Sequence, residues 1–315
     1  MRLSARTILL LGLLALPLCE LSAHALIRAH VPALSDYRAA VDFIRSELQD
    51  SDLITSAPAF IDPILRWQLG DKIPLAMAGR HDLSGYGRMW VVSIRGARAS
   101  DAPAASPALR RAFGEVEVLR YALPERPQVL FDFVASWRHA EASIVRDGAT
   151  KPCPLRSGGS PRGGGLGRGV LMPVSERFEC DPRSPWLFIA DVVLEDLDNQ
   201  PRHCIWQHPQ GAEPVQLTFH DVPLGAALVF YAGIYYEHER MRQGGPIEAT
   251  IAVDGQVLGR FEHHDGDGFR ALQLDTSKLG KRSAEVTVAV RAPEPRARSF
   301  CWAASTRGEP GGGPR

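Results

Sequence analysis

The sequence predicts a two-domain α+β protein, a small α/β three-layer domain followed by an antiparallel β-sandwich of the jelly-roll kind. Three observations carry that expectation. The run 247–253 alternates apolar and polar residues, meets Asp254-Gly255, and is followed by a second alternating run from Gln256. Asp-Gly between such runs marks a hairpin, because a type I′ turn needs positive φ at both central positions. From Trp186 onward such runs recur between turn residues: Trp186 to Leu194, Cys204 to Trp206, Val215 to Phe219, Ala227 to Tyr236, Phe269 to Leu274, Ala284 to Val290 and Ser299 to Trp302. Repetition of that kind predicts two packed sheets. Before residue 123, helical spacing alternates instead with short apolar runs.

Taken in order, residues 26–34 read as an extended lead-in. Ser35-Asp36 then caps a helix whose apolar positions are Val41, Phe43, Ile44 and Leu48. Residues 52–57 form a short buried strand that stops at Pro58. Asp62-Pro63 opens a second helix through Leu65, Trp67 and Leu69 to Gly70, since proline is tolerated in a first turn. Residues 89–94 and 116–121 read as strands and 107–113 as a helix, which together predict a small parallel layer. The expected domains are 26–123 and 124–306, divided at Pro124 and Pro127. The stretch 129–145 is ambiguous, with 142–145 a candidate first strand. Residues 156–169 are a glycine-rich loop, and a tail at 307–315 is expected to be disordered.

The N-terminus bears on compartment. Arg2 and Arg6 precede an apolar run ending at Leu18, and Ala23-His24-Ala25 offers small residues for cleavage, so residues 1–25 read as a signal peptide. An uncleaved membrane anchor remains open. A lipid-attachment box at Cys19 is disfavoured by bulky Leu18 beside it. Removal of residues 1–25 leaves Cys153, Cys180, Cys204 and Cys301, an even set that reads as two disulfides in a periplasmic or secreted chain. Spacing permits three pairings. Cys153–Cys180 and Cys204–Cys301 are favoured, the first stapling the glycine-rich loop and the second tying early and late strands. Lys+Arg and Asp+Glu both number 36, with no long basic run, which argues against a nucleic-acid partner.

Two partial resemblances follow from particular residues. Asp36-Tyr-Arg-Ala-Ala-Val-Asp-Phe-Ile-Arg with Ser51-Asp-Leu-Ile-Thr-Ser-Ala-Pro resembles the soluble extracytoplasmic region of bacterial protein-mannosyltransferase-type glycosyltransferases. The multi-helix membrane part that carries catalysis in that family has no counterpart here. The resemblance therefore implies at most an accessory that acts through a membrane glycosyltransferase partner. Val253-Asp-Gly, Asp267-Gly-Phe, Leu274-Asp-Thr, Leu279-Gly and Cys301-Trp-Ala-Ala are similar to galactose-binding-like jelly rolls, which implies a carbohydrate-binding or adhesion module.

Candidate sites come from residue chemistry. Tyr231, Tyr235, Tyr236, Glu237, His238, Glu239 and Arg240 group aromatic and charged side chains at the end of a strand. Sugars stack on aromatic rings while carboxylates and guanidinium groups fork their hydroxyls, so Tyr235, Tyr236, Glu237 and Arg240 are the expected ligand-binding set. Two core tyrosines followed by a solvated loop would look the same. On a strand, Glu237 and Glu239 would share a face about 7 Å apart. That suits a glycosidase pair, but in-line neighbours rarely flank a substrate. His263, His264, Asp265 and Asp267 lie close enough in the chain for Asp265 and Asp267 to hold calcium, although an exposed turn accounts for the same residues. Trp67, Met89, Trp90 and Arg95 read as core and rim. The glycine-rich loop completes no phosphate-binding pattern, and no Gly-x-Ser-x-Gly elbow precedes a helix.

The expectation is an exported cell-envelope protein without catalytic residues or a required cofactor, whose jelly roll binds a glycan. A glycosyltransferase accessory and a protein–protein interaction module are the alternatives.

Overall fold

A computed structural model describes residues 5–124, 127–158, 175–184, 186–280 and 282–309. The chain forms two compact units. One comprises the chain up to Ile73 together with Gly87–Leu123, and the other comprises Pro74–Tyr86 together with the chain from Pro124. The second unit is thus discontinuous: it takes a 13-residue segment from inside the first.

In the first unit, α1 (Ala5–Ala29) leaves Leu13, Leu16, Leu21 and Ile27 exposed. Among the described residues no helix is long and apolar enough to cross a membrane. The expected lead-in is corrected here: residues 26–29 continue α1, because no proline or glycine stands between Leu26 and Val31 to stop it. Helix α2 (Leu34–Glu47) buries Tyr37, Ala40, Val41 and Ile44, one face at helical spacing, and the Asp36 carboxylate accepts the Ala33 N–H at 3.2 Å. Helix α3 (Asp62–Leu69) carries its proline in the first turn, as expected.

The sheet of this unit runs β1-β2-β4-β3, with β1 (Asp52–Ala57), β2 (Arg88–Ile94), β3 (Leu109–Phe113) and β4 (Val116–Ala122). Only β1 and β2 are parallel; the other pairs are antiparallel, which corrects the parallel-layer expectation. The helix expected at 107–113 is instead edge strand β3. Its local helix preference yields to hairpin pairing with β4 through a turn at Gly114, where φ is 59°. Asp52 is buried beneath this sheet edge and accepts from Arg88 Nε at 2.7 Å, Arg88 Nη2 at 2.6 Å and the Trp90 indole at 2.8 Å. Trp90 and Met89 are core, as read, but Trp67 is 68% exposed.

The second unit opens with α4 (Leu75–Ala78), then from residue 129 runs β5 (Val129–Asp132), α5 (Phe133–Ser136), β6 (Glu141–Arg146), β7 (Ala149–Pro152), β8 (Leu155–Ser157) and β9 (Glu176–Glu179). There follow β10 (Phe188–Glu195), β11 (Pro201–Gln207), β12 (Val215–Pro223), β13 (Ala227–Ile234) and α6 (Tyr236–Met241). The chain ends with β14 (Ile247–Val253), β15 (Gln256–His263), β16 (Arg270–Asp275), β17 (Ser283–Arg291) and β18 (Phe300–Arg307). The last eight strands divide between two sheets, ordered β11-β18-β13-β16 and β12-β17-β14-β15, and only β14 and β15 follow each other within one sheet. Two interlocked Greek keys give that order, so the unit is a jelly roll. Strands β10, β9 and β8 widen the first sheet, and β6 and β7 widen the second. Asp254 and Gly255 turn the β14–β15 hairpin with φ of 48° and 76°, as the motif requires.

Strand β18 divides one of its edges between two partners. It pairs with β11 only at Cys301 and Trp302, and with β5 from Ser305 to Arg307. The ambiguous stretch before residue 145 thus contains the strand that fills the place β11 vacates. Arg307, expected in a disordered tail, ends β18 and is buried; residues 310–315 lie outside the described chain.

Between the sheets, Phe133, Phe219, Phe230 and Trp302 pack with ring centroids 4.8–6.3 Å apart. Gln207 lies fully buried among them. Its amide donates to Val215 O at 2.9 Å and Val288 O at 3.1 Å and accepts from the Trp302 indole at 2.8 Å. Both favoured disulfides are present: Cys204–Cys301 joins the first and last jelly-roll strands across 97 residues, and Cys153–Cys180 closes 27. The glycine-rich loop within the second bridge lies largely outside the described residues.

Two stability outcomes follow. Gln207→Leu strands one donor and two acceptors in the core and should cost about 3 kcal/mol or more in urea unfolding, at 1–3 kcal/mol per orphaned group. Replacing Cys204 and Cys301 by alanine should cost about 5 kcal/mol for a loop of this length. An unchanged midpoint for either variant would contradict the corresponding role.

Candidate functional site

The expected ligand-binding residues sit on a short helix, not at a strand end. Strand β13 stops at Ile234, and Tyr236 to Met241 form α6. That overturns the shared-face geometry of Glu237 and Glu239: Glu239 is buried, while Glu237 is half-exposed. Tyr235 is buried, with its ring 4.6 Å from that of Tyr236. Burial, reinforced by the neighbouring Tyr236 and Glu237, pushes the Tyr235 phenol far up. The Tyr236 hydroxyl donates to Glu237 Oε1 at 3.3 Å, and the Arg240 guanidinium lies 5.0 Å from the Tyr236 ring centre. Tyr236, Glu237 and Arg240 therefore meet, and Tyr235 supports them from beneath.

The 263–268 turn divides its charged groups. His263 is buried at the end of β15 with Nε2 3.4 Å from Glu239 Oε1, which also accepts the Gly268 N–H at 2.5 Å. Asp265 gives its two oxygens to buried Arg298, at 2.6 and 3.2 Å, and accepts the Gly244 N–H. A Cβ at Gly244 would lie 1.7 Å from the Arg298 guanidinium, so this approach demands glycine. Asp267 pairs with Arg270 at 2.7 Å. The carboxylates that sequence pattern offers to calcium thus face arginines, and among the described residues no three metal-ligating side chains converge.

A second constellation is absent from the sequence reading. Residues 74–86 cross the jelly roll as a strap. Because β11 parts from β18 beyond Ile205, the His203 N–H is free to bond Gly79 O at 2.9 Å. Asp82 fastens the strap: its Oδ2 accepts from the Tyr231 hydroxyl at 2.7 Å and from Arg307 Nη2 at 2.6 Å, and its Oδ1 accepts the Ser84 N–H at 2.8 Å. His81 lies between Tyr231 and Phe269, with centroids 5.6 and 5.5 Å away and nearly parallel rings. In the fork between β11, β18 and β5 a cavity of about 290 Å³ opens beside Asp82, Tyr231, His203, Ser305 and Arg307. The only sequence signal was Asp82-Leu83-Ser84-Gly85, a side-chain turn pattern. Arg307 gave none, being followed by glycine and proline residues.

The charges here are settled by contact. Burial would raise the Asp82 carboxyl, but the bonds from Tyr231 and the Ser84 N–H, together with the Arg307 charge, hold it below the usual range. Burial, then the bond to Asp82, pushes Tyr231 up to about 12. His81 is pushed down to about 4, chiefly because stacking on both faces removes water. Its Nε2 lies 2.6 Å from the His203 carbonyl, which fixes the neutral ring with that nitrogen protonated. His208, buried near Trp186 and Trp206, is likewise pushed down to about 4 by burial.

No family model matches the sequence, and no curated protein matches it. Neither resemblance drawn from the sequence is therefore carried by a family match. Among solved structures, the chain is similar to the CBM51-2 and INT domains of Clostridium perfringens ZmpB in complex with GlcNAc, at 14% identity over 54% of this chain and 37% of that one, TM-score 0.30. It therefore spans just over a third of that structure. The CBM51 of Clostridium perfringens GH95 with methyl-galactose aligns at 8% identity over 37% of this chain and 81% of its own, TM-score 0.27. A CBM36 carbohydrate-binding module with calcium and xylotriose aligns at 11% over 34% and 78%, TM-score 0.21. Likenesses this distant say nothing of what this chain binds.

Two of the depressed histidines, His81 and His208, set a pH dependence. Each has a folded pKa of about 4 against about 6.5 unfolded, so between those values the unfolded chain binds more protons. Stability should therefore fall as pH drops from about 6.5 towards 4, and His81→Gln should flatten that slope. Urea midpoints at several pH values give the slope; equal slopes for variant and parent would show that His81 is not held neutral.

Proposed function

We propose that this is an exported, non-catalytic protein whose jelly-roll unit binds a saccharide at the surface formed by Tyr236, Glu237 and Arg240. The observation that carries the reading is their contact on α6: a half-exposed ring with a carboxylate at its hydroxyl and a guanidinium over its face. A sugar needs those three features together, a flat ring for its C–H face and a charged acceptor and donor for its hydroxyls. Arg240 occupies the place a sugar face would take. It is exposed, and its bond to Leu197 O is long at 3.4 Å, so moving it aside costs little. Export rests on the signal-like N-terminus and on two disulfides that an oxidising compartment would preserve.

A second reading, docking onto another protein, is favoured by Phe60 and Trp67. They are 69% and 68% exposed and seven residues apart along a helical stretch of the first unit.

The test is a glycan array probed with the full chain made in an oxidising compartment. A specific signal is expected that Tyr236→Ala and Glu237→Ala each reduce by about tenfold, the loss of one good contact, with both variants still folded. A blank array from folded protein, or signal indifferent to both substitutions, would remove the reading.

A further inference from the structure

We propose that the cavity in the fork between β11, β18 and β5 is a separate binding site for a neutral, polyhydroxylated molecule of single-sugar size. The inference stands on its own geometry and is independent of the α6 surface. At about 290 Å³ the cavity is at the small end of the range for ligand pockets, which limits the occupant to about one ring.

Charge balance selects a neutral occupant. Asp82 and Arg307 neutralise each other at 2.6 Å, and the remaining charged side chains on the lining are Arg80 and Asp132, one of each sign. A carboxylate or ammonium entering this space would gain from one wall what it lost to the other, besides its own desolvation. A hydroxyl can use both walls, since it donates and accepts.

Open partners of both kinds are present. The Arg307 guanidinium has five N–H groups; it donates from Nη2 to Asp82 and from Nε to Ser305 Oγ at 3.1 Å, and it also faces the Tyr231 hydroxyl, so donors are left over. Asp132 caps α5 with Oδ1, which accepts the Val134 and Ala135 N–H groups at 2.8 and 3.1 Å. Its Oδ2 has no hydrogen-bond partner among the described residues, and the side chain is exposed. The lining also carries the apolar side chains of Ala304, Val134 and Ala135, which suit the C–H face of a sugar.

The experiment titrates the folded full chain with neutral monosaccharides (glucose, galactose, mannose and N-acetylglucosamine) and with glucuronic acid and glucosamine as charged counterparts, read by ligand-observed NMR. Two variants separate this site from any other. Ala76→Trp fills the cavity from an exposed position on α4, and Asp132→Asn removes the open acceptor while leaving a residue that caps a helix equally well. At least one neutral sugar should bind, the charged ones more weakly, and each variant should weaken binding by about tenfold, the loss of one good contact. If Ala76→Trp fails to fold, Asp132→Asn carries the test alone. Absence of binding to folded parent, preference for a charged sugar, or binding unaffected by Asp132→Asn would overturn the proposal.

Discussion

The amide of Gln207 holds the two sheets of the jelly roll to each other. It comes from β11, the first strand of the eight, and takes the indole of Trp302 on β18, the last, so one end of the contact stays within a sheet. Its two N–H groups cross to carbonyls of β12 and β17 in the opposite sheet. No other uncharged side chain carries two donors and an acceptor at that reach, and every one of those bonds lies where water cannot substitute. With Trp302 oriented by the amide, Phe230 stacks on it at 5.4 Å and Phe133 and Phe219 close around it. The Cys204–Cys301 bridge joins the same two strands from neighbouring positions, so covalent and polar constraints coincide.

The position of β18 then decides what happens beside it. Near Trp302 it holds β11; nearer Arg307 it holds β5. The gap where the partner changes exposes a backbone N–H of β11, and the strap takes it. Asp82 converts that single bond into an anchored segment, because three side chains and a backbone N–H converge on one carboxylate. Removing the carboxylate would leave Arg307 buried and uncompensated. The strap, the cavity and the buried Arg307 are thus one consequence of a strand that cannot pair along its whole length.

Much of the fold was legible because its signals are local. Alternation with period two marked most jelly-roll strands, and Asp254-Gly255 marked the hairpin through the φ values it permits. Even cysteine number with strand order pointed to the disulfides that form. What failed depended on tertiary context. Residues 109–113 prefer a helix alone and become a strand only because β4 lies beside them. Tyr236 closes an apolar run in the sequence, yet it opens α6 because β13 has already stopped at Ile234. The candidate site was half visible: Tyr236, Glu237 and Arg240 were named from chemistry, whereas Glu239 went inward to His263, and Asp265 to an arginine 33 residues away. The strap was invisible because its partners are far off in the chain, Asp82 and Arg307 being separated by 225 residues.

The claim on which the rest turns is that residues 74–86 belong to the jelly roll although they interrupt the first unit. Hydrogen–deuterium exchange on the full chain, resolved by peptide, measures this directly. The strap peptide and the β11 peptide containing His203 should be protected together, and Asp82→Asn should release both while the β14–β15 hairpin stays protected. Exchange of the strap within seconds in the parent chain, with β11 unaffected, would contradict the account.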